Sequence, residues 1–113
     1  GMKAMMVLVA TMVAGLSQVA LMRGATAQDA NIVAGRAYAV EVCADCHAVL
    51  AGEDLSSRLG ATAFQEIAET PGMTEYALSV WLQTSHPTMP NIILEQDDMR
   101  NVIAYIRSLD RRP

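Results

Sequence analysis

The apolar positions of this chain fall into two regimes. From Ala4 to Met22 apolar and small residues run on, broken only by Thr11, Ser17 and Gln18. Beyond Gln28 they recur at three- and four-residue spacing without β-branched alternation, the pattern of amphipathic helices rather than strands. Ile32, Gly35, Tyr38/Ala39 and Val42 share one face of a first helix predicted from Asn31 to about Cys46. A short second helix, opened by the capping-box pattern Thr62-Ala63-Phe64-Gln65, turns Phe64 and Ile67-Ala68 inward. Pro71 biases Thr70 away from helical geometry and ends it. Thr74 caps a third helix, with Glu75 in its first turn and Tyr76, Leu78, Trp81 and Leu82 as its apolar residues. The last helix runs from Glu95 to about Leu109 and buries Met99, Val102, Ile103, Ile106 and Leu109, while Glu95, Asp97 and Asp98 lie at its positive end. Residues 49–61, rich in glycine, serine and acids, read as a surface loop. His86-Pro87-Thr88-Met89-Pro90 reads as an extended loop stiffened by two prolines. The expectation is an all-α domain of three to four short helices.

The first regime has a different meaning. Lys3 supplies a basic start, the apolar run follows, and Ala25-Thr26-Ala27 offers a small-residue exit before Gln28. That order reads as an export signal over residues 1–27, leaving one domain at 28–113. Gly1 before Met2 reads as a remnant of cloning. The apolar core is longer than usual for a signal, so an uncleaved membrane anchor is the alternative. Export places the domain in the periplasm.

Charge then narrows the partners. From Gln28 onward all twelve acids remain against six arginines and no lysine, a formal charge of −6. Such a surface argues against nucleic acid and against an acidic membrane. So short a domain buries little apolar area, and its five aromatics are Tyr38, Phe64, Tyr76, Trp81 and Tyr105. A large apolar cofactor would supply what the core lacks.

The only two cysteines stand in Cys43-Ala44-Asp45-Cys46-His47. A disulfide is one use of such a pair in an exported protein. Thiol exchange calls for a strand leading into a helix, and no strand is predicted. Zinc needs two further ligands, and only His86 remains outside the cluster. Cys-x-x-Cys-His is also the attachment signature of c-type haem, and this reading uses all three residues. Cys43 and Cys46, about one helical turn apart, reach two vinyl groups on one porphyrin edge, and His47 becomes the proximal iron ligand. Such haem is normally attached after export, so two independent signals agree.

A second axial ligand would come from Met73, Met89, Met99 or His86. Met73 follows Pro71-Gly72 at a helix start, and Met99 belongs to the apolar stripe of the last helix. Met89 lies 42 residues past His47 between Pro87 and Pro90, where a stiff loop can present a thioether at little entropic cost. His86 is the rival, though a histidine after Gln83-Thr84-Ser85 is more often solvated.

With these residues in view, the chain from Gln28 resembles a class I c-type cytochrome of the short bacterial periplasmic kind. Gly35-Arg36-Ala37-Tyr38 followed by Cys43 to His47 resembles that family's N-terminal helix. Thr88-Met89-Pro90 resembles its axial-methionine loop, and Asn101-Val102-Ile103-Ala104-Tyr105-Ile106-Arg107-Ser108-Leu109 its C-terminal helix. The resemblance implies the cytochrome c fold, wrapped around one covalent haem c held by Cys43 and Cys46 and ligated by His47 and Met89. It also implies terminal helices that cross with Gly35 against Tyr105. Two departures stand out. Ala39, with Tyr38 before it, occupies a position usually aromatic, so the helix would bury a rotated face. Residues 53–59 also lack the proline whose carbonyl often orients the histidine ring.

The implied function is one-electron transfer, not enzymatic catalysis. Partners would be redox proteins: a membrane oxidoreductase, a terminal oxidase or a periplasmic dehydrogenase. A haem-based gas sensor and a permanent dehydrogenase subunit are the alternatives. Trp81, Phe64, Leu82 and Ile92-Ile93 are the expected pocket wall, and a monomer is expected.

Overall fold

The computed structural model describes residues 26–84, Met89 and residues 92–113. The apolar segment up to Ala25 and the rival ligand His86 lie outside the described residues. Among those described are four α-helices: α1 (Ala27–Tyr38), α2 (Phe64–Ala68), α3 (Glu75–Gln83) and α4 (Gln96–Ser108). None is long and apolar enough to cross a membrane.

Helix α1 starts four residues earlier than the periodicity predicted. Thr26 and Asp29 form a reciprocal capping box, with Asp29 N donating to Thr26 Oγ1 at 3.2 Å and Thr26 N to Asp29 Oδ2 at 2.9 Å. Thr26 lies inside the segment expected to be an export signal, so the cap straddles the expected cleavage point. After Tyr38 the helix widens into a π-helical turn, Ala39–Cys43, closed by Ala44 N donating to the Ala39 carbonyl at 3.0 Å. One extra residue per turn changes the helical phase. Ala39 becomes fully buried while Tyr38 is only half-buried, which is the rotated face the sequence suggested.

The terminal helices α1 and α4 pack together more extensively than any other pair. A Cβ added at Gly35 would overlap the Asn101 carbonyl and come within 2.9 Å of the Tyr105 Cβ. Only a glycine lets the backbones approach this closely. Around the crossing, Ala39, Val102, Ile103, Tyr105, Ile106 and Leu109 join Val49, Phe64, Ala68 and Leu78 in one core. Thr74 caps α3 as expected, accepting from Ala77 N at 3.1 Å.

Two expectations need correction. The capping box at Thr62–Gln65 does not form: Ala63 is the cap residue and makes no side-chain cap bond. Gln65 is instead buried, its amide donating to the Leu109 carbonyl at 2.6 Å and to Glu69 at 2.8 Å while its oxygen accepts from Gly52 N at 2.9 Å. Helix α3 faces the core chiefly through Leu78, leaving Trp81 54 % and Tyr76 78 % exposed. Nine residues carrying this many apolar side chains cannot turn all of them inward.

Candidate functional site

Cys43 to His47 forms a single tight turn at the end of α1. The Cys43 carbonyl accepts from Cys46 N at 3.2 Å and from His47 N at 2.9 Å. This doubled acceptor fixes the backbone spacing of both sulfurs and the imidazole. Both cysteines are free thiols and half-buried. Burial pushes the Cys43 thiol up to about 11, so it stays protonated at neutral pH and is poorly suited to disulfide exchange. Among the described residues no three of His, Cys, Asp and Glu gather as metal ligands, so the donor set for tetrahedral zinc is not assembled.

His47 carries the most specific geometry. Its Nδ1 lies 2.6 Å from the Thr62 carbonyl oxygen. A carbonyl can only accept, so Nδ1 bears a proton, and in the neutral ring Nε2 then carries the lone pair. The ring is thereby committed to the tautomer that binds a metal through Nε2, with a backbone carbonyl as outer partner. Phe64 lies beside it, ring centroids 5.5 Å apart and tilted by 51°. The carbonyl expected from a proline within residues 53–59 is thus replaced by that of Thr62, three residues beyond that segment.

The segment expected to be a plain surface loop is a brace around this turn. Ser57 Oγ donates to the Asp45 carbonyl at 2.8 Å, and Arg58 N donates to the Cys46 carbonyl at 3.1 Å. Ala48 N donates to Ser56 Oγ at 2.9 Å, and Phe64 N donates to the Ala48 carbonyl at 2.8 Å. With the His47–Thr62 bond, each residue from Asp45 to Ala48 is fastened to the segment 56–64. Sequence reasoning missed Ser56, Ser57 and Thr62. The missing proline was the only hint.

The methionines separate by environment. Met73 and Met99 both pack against the core, which accounts for them structurally. Met89 is half-buried. Of the expected pocket wall, Phe64 is buried, Leu82 packs against the core and Ile92 is half-buried, whereas Ile93 is 86 % exposed and Trp81 mostly so.

The residues present therefore fit a c-type haem: two free thiols and a tautomerically fixed imidazole on one rigid turn. A profile of the cytochrome c family matches residues 32–110. No curated protein and no solved structure matches the chain. The match spans the cysteine turn, the braced loop and both crossing helices, and the chain belongs to the cytochrome c family, whose members transfer electrons through haem.

Proposed function

We propose that the protein is an exported one-electron carrier with one haem c, bound through Cys43 and Cys46 and ligated by His47 and Met89. The observation that carries this reading is the His47 Nδ1 proton given to the Thr62 carbonyl, which leaves Nε2 available inside a Cys-x-x-Cys-His turn. The haem, when bound, supplies a one-electron couple at iron, and a methionine ligand with ring burial raises its potential. The chain's own part is to hold geometry. The turn at Cys43 fixes both attachment points, and the brace fixes the proximal ring. Met89 is preferred as sixth ligand because Met73 and Met99 are engaged in packing. Residues 1–27 are read as the export signal, and the acidic, lysine-free domain suits a redox partner of basic or neutral surface.

Matured protein should keep its haem after denaturation, with the mass raised by one haem. The oxidised form should show the weak near-infrared band of methionine sulfur on ferric haem. Met89→Ala should erase that band, lower the potential and let carbon monoxide bind the reduced iron. His86→Ala should change none of these. A band that survives Met89→Ala would remove Met89 from the site, and carbon monoxide binding by the unaltered protein would favour a gas sensor.

A further inference from the structure

The loop between the cysteine turn and α2 contains no proline from Ala48 to Ala63. Stiffness that a proline would give by limiting the chain must come from bonds instead. Three of the five brace bonds join backbone to backbone or to the His47 ring, and their backbone donors and acceptors survive most substitutions. The sequence-specified members are two adjacent hydroxyls. Ser57 Oγ grips the Asp45 carbonyl, two residues before His47, and Ser56 Oγ accepts from Ala48 N, one residue after it. They hold the loop at both flanks of the histidine. From there Arg58 and Ala61 close a tight turn, Ala61 N to the Arg58 carbonyl at 3.1 Å with Gly60 at φ 89°, which returns the chain so that Thr62 faces the ring.

We propose that Ser56 and Ser57 are positioning residues for His47, clamping the loop so that the Thr62 carbonyl stays on Nδ1 and thereby setting the reduction potential. This rests on the reading of His47 as the proximal ligand. A firm hydrogen bond at Nδ1 makes the imidazole a stronger donor through Nε2, which favours ferric iron. A loosened clamp weakens that bond, the ring donates less, and the ferrous form gains. Both hydroxyls bond backbone on either side of the histidine rather than its ring nitrogens, so the effect passes through the loop.

The test uses the full chain, matured with haem, as the unaltered protein and as Ser56→Ala, Ser57→Ala, Ser57→Thr and Ser79→Ala. Each alanine at 56 or 57 should raise the midpoint potential. The expected size is a two- to threefold change in the ferrous-to-ferric ratio at fixed poise, about 18–28 mV at 59 mV per tenfold for one electron. The His47 Nδ1 proton, followed by NMR in the diamagnetic ferrous protein, should exchange faster in both. Ser57→Thr keeps the hydroxyl and should restore both values. Ser79, whose hydroxyl bonds the Tyr76 carbonyl of its own helix at 2.7 Å, should be silent as alanine. If the alanine variants lower only the unfolding midpoint, with potential and proton exchange unchanged, the serines are structural and the proposal is overturned. If the unaltered protein carries no covalent haem, the carrier reading itself is overturned before any variant is compared.

Discussion

The α1–α4 crossing and the cysteine turn are held in place by opposite means. At the crossing, shape decides: Gly35 lies against the Asn101 carbonyl with no room for a methyl group. At the turn, direction decides: five hydrogen bonds fasten Asp45 to Ala48 onto the following loop. Close packing has no graded response, because one added carbon forces backbone to move. A set of hydrogen bonds can be loosened one member at a time, which suits the proposed role of His47 as a ligand of tunable donor strength. The fold thus keeps its rigidity in one region and its adjustable polar contacts in another.

The most damaging way to break this contrast is Gly35→Ala. Alanine is the better helix former by about 1 kcal/mol. The overlap with Asn101, about 3 kcal/mol at the upper end of overpacking costs, should nonetheless leave a net loss of about 2 kcal/mol. Urea unfolding of the haem-bound protein reads this directly, and a gain in stability would mean the helices do not meet as described. The potential of whatever remains folded should stay near its original value. Gly35 would then move stability without potential, and Ser57 potential with little stability.

A middle-sized effect should come from the residue that joins the two regions. Tyr105 packs at the crossing, yet its hydroxyl donates to the Val49 carbonyl at 2.6 Å, two residues past His47. Burial also raises the Tyr105 hydroxyl above the ordinary tyrosine range, so it remains a donor well past neutral pH. Tyr105→Phe keeps the ring and strands the Val49 carbonyl, at a cost of about 1–2 kcal/mol. Hydrogen exchange should locate the loosening in residues 49–52 as well as in α4; protection lost in α4 alone would separate the two regions.

The smallest change should come at Asn101, whose Oδ1 is buried without a partner among the described residues. Asn101→Ala removes that unmet acceptor and improves helix propensity, so stability should hold or rise by up to about 1 kcal/mol. A clear loss in thermal unfolding would show that the side chain is bonded after all.

The sequence was most readable where structure follows from side-chain pattern. The buried stripe of α4 and the Thr74 cap rest on residue types with few alternative uses, while the Gly35–Tyr105 meeting was implied by the family resemblance. The cysteine turn was readable because its chemistry is written in side chains. The brace was not, since Thr62 acts through a carbonyl that every residue possesses. Gln65 misled for a related reason: its position matches a cap partner, but burial recruits its amide for three backbone and side-chain bonds elsewhere. Trp81 shows the limit of periodicity in a short helix, where several apolar residues compete for one inward face.

The meeting of first and last helices also governs when this chain can fold. Helix α1 finds its main partner only in residues 96–108, and the Tyr105–Val49 bond closes a gap of 56 positions along the chain. Contacts so distant in sequence are slow to form and cannot begin before the far end has been synthesised. Until then Cys43 and Cys46 belong to an open strand of polypeptide, and each thiol is reachable from any side. The order in which these contacts form therefore leaves an interval in which both thiols are open, and the docking of α4 ends it.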